Sequence, residues 1–138
     1  MDRWFDRTWG TINESDEFWK RGDHQKAVKL LDDAIAYWVQ EGNTNWIRTL
    51  CHFGAQKCDS AGKLALVKHY YEQSLTYDPE NSVALYGLAE VAMKQGHPDL
   101  AKGYAKRSYN AAAKDGDEVA RGKLFDLIAK KWPDVVPN

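Results

Sequence analysis

The chain has 138 residues, 43% hydrophobic and 28% charged, with 19 basic residues against 20 acidic ones and a formal net charge of -1. That length fits one domain able to bury its own core, and six Trp, seven Tyr and four Phe exclude a disordered composition. The two signs are interleaved with no basic run, so neither nucleic acid nor an anionic membrane surface is an expected partner.

The first ten residues, MDRWFDRTWG, mix two Asp and two Arg with aromatics and hold no apolar run of signal-peptide length. No stretch of about 18 apolar residues occurs, so no membrane span is predicted, and the expected location is the cytoplasm. The two cysteines agree with that. Cys51 and Cys58 lie seven apart on a predicted helix, about 10 Å by helical rise, too far for a disulfide within it. They read as small core residues.

Apolar spacing is helical nearly throughout, and no alternating strand pattern appears. The first segment carries a stripe of Phe5, Trp9, Ile12 and Trp19, interrupted by Asp16. Gly22 suits its left-handed end. Asp23 is a predicted N-cap, because its carboxylate can accept from the free amides of the next first turn. Ala27, Leu30, Leu31, Ala34 and Trp38 then share one stripe until Gly42-Asn43. Ile47, Leu50, Cys51, Gly54 and Cys58 form the next, ended by Gly62. Leu64, Val67, Tyr70, Tyr71, Ser74 and Leu75 follow, stopping at Asp78-Pro79, since proline cannot continue a helix. Asn81 or Ser82 caps a helix with Leu85, Leu88, Ala89 and Ala92 inward. Gly96-His97-Pro98 breaks the chain, with Pro98 as first helical residue. Ala101, Tyr104, Ala105, Ser108 and Tyr109 come next. A last helix, about 117–131, presents Leu124, Phe125, Ile128 and Trp132 before Pro133.

The glycine breaks recur. Gly62 and Gly96 are 34 apart, and Gly22 and Gly62 are 40 apart. Such a period calls for a repeat reading. The stretch "YDPENSVALYGLAEVAMKQG", Tyr77 to Gly96, resembles the tetratricopeptide repeat family, with Leu85, Leu88-Ala89 and Ala92, then Ala101, Ala105 and Ser108, at pattern positions. The second repeat offers Cys51, Gly54-Ala55, Cys58, Val67, Tyr71, Ser74 and Pro79. In the first, Thr11, Glu14-Ser15 and Phe18 depart from the pattern, and only Ala27, Leu31 and Ala34 fit. Small residues such as Ala89, Ala101 and Ser108 let two helices approach closely. The resemblance implies one all-α domain over 1–138: a right-handed superhelix of three hairpins (about 2–41, 46–79 and 82–113) with a capping helix at about 117–131.

In that family the first helix of each hairpin lines a concave groove that holds peptides or helices of other proteins. Carried over by position, the groove would present Trp9, Ile12, Asp16 and Trp19, then Thr49, His52, Gln56 and Asp59, then Val83, Tyr86, Glu90 and Lys94. The strongest binding candidates are His52, Gln56, Tyr86, Glu90, Lys94 and Trp19. The competing reading is plain exposure for the polar members and burial in the first hairpin for Trp9, Ile12 and Trp19. Members that clamp a chaperone's terminal carboxylate use Lys, Asn and Arg where this chain has Ile12, Asp16, Val83 and Gly87, so the cationic clamp is lacking and that ligand is not expected. There is no phosphate loop, nucleophile elbow or His-Glu-x-x-His arrangement, and the four histidines are dispersed. No metal, cofactor or catalytic activity is predicted. The expected function is a protein-binding scaffold. The alternative is a structural module that dimerises through Trp4, Phe5, Trp9 and Trp19 of its first helix.

Overall fold

A computed structural model describes residues 3–114 and 118–137, with the side chains of residues 3–6 outside that set. The described residues form helices and turns without a strand: α1 Arg3–Lys20, α2 His24–Glu41, α3 Thr44–Ser60, α4 Leu64–Tyr77, α5 Ser82–Lys94, α6 Pro98–Ala112 and α7 Glu118–Lys131, followed by a 3-10 turn, Pro133–Val135. The protein is all-α, as the spacing predicts. Residues 2 and 117, where the predicted first repeat and closing helix begin, lie outside the described residues.

The helix boundaries follow local chemistry. Asp23 caps α2 by accepting from the Lys26 amide at 3.2 Å, and Asn43 caps α3 by accepting from the Trp46 amide at 3.0 Å. Gly42 ends α2 at φ 71°, a left-handed conformation that only glycine adopts without penalty, and its N–H reaches back to the α2 carbonyls.

The chain divides into two compact units, Met1–Lys63 and Leu64–Asn138. In the first, α1 and α2 form a hairpin and α3 packs on α2. The α1 residues that face inward are Thr8, Ile12, Ser15 and Trp19, one position away from the predicted stripe at its N-terminal end. Two polar residues can sit inside because each is satisfied. Ser15 Oγ donates to the Ala27 carbonyl at 2.9 Å, and Thr8 Oγ1 accepts from Trp38 Nε1 at 2.9 Å. Ser15 and Ala27, both fully buried, bring α1 and α2 together with a small residue on each side. Trp9 stays 46% exposed, its ring meeting Trp46 edge-on at 5.4 Å, while Trp46 stacks on Trp38 at 5.8 Å.

In the second unit α5 is the central element. Eight of its residues are buried, including Leu85, Leu88, Ala89 and Ala92, and a helix apolar all round belongs inside. α4 and α6 flank it. Against α4 the approach is limited by Gly87, where a Cβ would lie 2.8 Å from Tyr71 Cδ2 and closer still to two further atoms of the ring. Against α6, fully buried Ser108 donates to the Ser82 carbonyl at 2.8 Å. Asn81 both caps α5, accepting from the Ala84 amide at 3.2 Å, and donates to Ser74 Oγ on α4 at 3.1 Å. α7 returns along α6. Leu124, Ile128 and Trp132 enter a cluster with Tyr86, Ala89, Ala101 and Ala105, and Phe125 stacks on Tyr109 at 4.4 Å.

Candidate functional site

The predicted groove residues fall into different environments. On α1, Ile12 and Trp19 are core residues, with Trp19 only 8% exposed and its ring 4.7 Å from that of His24. Asp16, between them, is half-buried and held by two cations: Lys57 of α3 at 2.5 Å and Lys20 at 3.3 Å. The hydrogen bond from Lys57 holds the Asp16 carboxyl below the usual carboxylate range, against the opposing effect of burial and with further help from Lys20. Lys57 also lies 5.6 Å from the Phe53 ring. This ion cluster holds α1 to α3.

On α3, Gln56 and Thr49 are exposed, and Thr49 Oγ1 donates to the Asn45 carbonyl at 2.9 Å, a bond internal to the helix. His52 is half-buried. Desolvation holds its imidazole below the ordinary pKa, which favours the neutral ring.

On α5 of the second unit, Tyr86, Glu90 and Lys94 recur every four residues, one above the other. Lys94 and its neighbour Met93 are exposed and Glu90 is half-buried. Tyr86, by contrast, is only 9% exposed, because the end of α7 covers it. The Trp132 ring meets Tyr86 edge-on at 6.0 Å. Lys131 Nζ sits 5.3 Å from the Tyr86 ring centre and 2.6 Å from Glu90 Oε2. Burial works against the Lys131 charge, but the hydrogen bonds that its ammonium makes with Glu90 and Tyr86 outweigh it and raise the pKa. Beside this contact Glu90, Met93, Lys94, Lys131 and Trp132 line an open pocket of about 290 Å³. Met93 is 49% exposed at its edge.

Residues 60–124 match the family model of the tetratricopeptide repeat. Over that segment, a little under half of the chain, the protein is similar to tetratricopeptide repeats, which is consistent with a helical repeat protein. The matched span contains the whole of α4, α5 and α6 and the first half of α7. No curated protein matches the chain.

The pocket combines two positions that repeat spacing finds, Glu90 and Lys94, with three that it does not, and it lies beside a third groove position, Tyr86. Lys131 and Trp132 lie 41 and 42 residues beyond Glu90, and Met93 falls between groove positions. Trp132 is expected inward at the end of the last helix, yet nothing in its local pattern points to Tyr86. Among the described residues no group of three His, Cys, Asp or Glu could hold a metal ion, and no helix is long and apolar enough to cross a membrane.

Proposed function

We propose that the chain is a protein–protein interaction scaffold that holds a peptide or helix of its partner, and that the α5 face of the second unit anchors it. Tetratricopeptide repeats are generally interaction modules that bind proteins. The observation that supports the anchor is the half-exposed Met93 beside a pocket floored by buried Trp132 and rimmed by Glu90, Lys94 and Lys131. An apolar floor with a charged rim suits one apolar side chain of a ligand flanked by polar groups. His52 and Gln56 are candidates for a separate contact on the first unit. The test is affinity capture from native lysate with the wild-type chain and with Met93→Asp/Lys94→Glu. A partner that the wild type holds and the folded double variant loses supports the anchor. An unchanged set of partners refutes it.

A second proposal, self-association through α1, draws on one observation, the half-exposed Trp9 stacked edge-on against Trp46. Trp4 and Phe5, the other members of that predicted surface, lie outside the described side chains, and Trp19 is core. Sedimentation decides the matter. A concentration-dependent dimer that Trp9→Ser abolishes supports it, and a monomer at high concentration removes it.

A further inference from the structure

We infer that the short C-terminal arm, Lys131 to Val136, is a displaceable strap over the α5 face, and that it marks the chemistry of the ligand: a cation next to an aromatic side chain. The second half of this rests on the α5 anchor proposed above. The arm begins at the last residue of α7 and turns away from the helix direction at Pro133. Pro133 starts a separate 3-10 turn after α7 ends at Lys131. α7 keeps its own hold on the unit through Leu124, Ile128 and the Phe125–Tyr109 stack. The arm is held by Trp132, which is 7% exposed, by half-buried Val135 and Val136, and by two ion pairs. Those pairs are Lys131 with Glu90 at 2.6 Å and Lys102 with Asp134 at 3.3 Å. All four of their side chains are more than a third exposed, so water and salt reach them and each pair holds weakly.

What the arm covers is also informative. Tyr86 and Glu90 stand where a groove ligand would be read, and the arm already occupies them with an ammonium over the ring, a salt bridge and an aromatic edge. A partner segment with the same pair of groups satisfies the same two residues once the arm lifts. The arm then competes with the ligand, and apparent affinity falls by the fraction of molecules in which the strap is open.

The test uses the full chain and one probe, a fluorescein-labelled synthetic peptide with the sequence of residues 129–137. The expected result in fluorescence anisotropy is binding to Lys131→Ala/Trp132→Ala at least about tenfold tighter than to the wild type, consistent with a strap open in about a tenth of molecules or fewer. The binding should weaken in 0.5 M salt, on the order of the screening expected for exposed pairs. Because losing Trp132 can unfold the unit, Lys131→Glu is measured beside it. It repels Glu90, leaves the buried ring in place, and should also bind the probe more tightly than the wild type. In the wild type, the amides of Trp132, Val135 and Val136, bonded to Ile128, Trp132 and Pro133 carbonyls, should exchange with solvent faster when salt is raised, while those of Ala101 and Ala105 do not. Equal probe binding by wild type and folded variants, or arm amides that exchange only with those of α6, would overturn the strap. If Met93→Asp/Lys94→Glu loses partners while the probe shows no preference, the anchor stands and the strap falls.

Discussion

Replacing Gly87 with Ala should destabilise the protein although alanine is the better helix former. In an exposed helix interior Gly→Ala gains about 1 kcal/mol. Gly103 in α6 and Gly122 in α7 have open space around an added Cβ, so either substitution should show a gain on the order of 0.5–1 kcal/mol. At Gly87 the new methyl would lie 2.8 Å from Tyr71 Cδ2, with two further ring atoms closer. No ordinary contact is that short, so the ring or the α4–α5 spacing must give way. Overpacking of this kind costs about 1–3 kcal/mol, and the half-buried Tyr71 ring relieves part of it by turning outward. The net expectation is a loss of roughly 1 kcal/mol, opposite in sign to the two control glycines. Urea unfolding followed by far-ultraviolet circular dichroism measures all three. The close approach also makes a coupled prediction. In a Tyr71→Ala background the clash is gone, and Gly87→Ala should become neutral or stabilising. A Gly87→Ala variant as stable as Gly103→Ala, or one whose effect is the same with and without the Tyr71 ring, would show that α4 and α5 do not meet there.

The Asp16 carboxyl titrates below its unfolded value, so its contribution is present above about pH 4 and is lost as the pH falls through the folded pKa. Asp16→Asn should cost about 0.5–1 kcal/mol at neutral pH and flatten the acid limb of the stability profile below pH 4, measured by urea titration across pH. His52 has the reverse consequence: its folded pKa is depressed by burial, so the unfolded chain takes up the proton first and stability falls as the pH drops below about 6.5. His52→Gln should remove that part of the slope between pH 7.5 and 5.5, and an unchanged slope would place the titration elsewhere. Burial, with a smaller contribution from the Asp32 charge, pushes the Cys51 thiol up to about 12. Burial likewise pushes Cys58 up to about 11, with Lys63 opposing and Asp32 adding a little. Both thiols should therefore ignore an aromatic disulfide reagent at pH 8 in the native protein and react fully in guanidinium, and rapid native reaction would mean that α3 is not buried as described.

Much of the fold is legible in the sequence because it is set within a few residues. Asp23 and Asn81 cap the helices they were expected to cap, and Pro98 opens α6, since each needs only the amides of the next turn or a ring that fits a helix start. On α3 every residue of the predicted stripe, Ile47, Leu50, Cys51, Gly54 and Cys58, is buried, and Trp46 and Ala55 join them. The first helix shows where that reasoning ends. Hydrophobicity alone places Trp9 on the inner stripe and leaves Thr8 and Ser15 out. The structure reverses this, because Trp38 and the Ala27 carbonyl offer those hydroxyls hydrogen bonds. Partners of that kind come from another helix, and periodicity along one helix carries no information about them.

The α5 site divides the same way. That Tyr86, Glu90 and Lys94 share a face follows from their spacing of four, a property of any α-helix. That Tyr86 is covered while Met93 remains open follows from where α7 lands, which brings Lys131 to a carboxylate 41 positions earlier. By itself the sequence determined an all-helical chain, its breaks, its caps and a period of thirty-odd residues, because those depend on short-range sterics and hydrogen bonds. Only the tertiary structure decided which residue of each face meets a neighbour, which polar group is satisfied and which ring is left to solvent, because burial and ion pairing are set by distances between segments far apart in the chain.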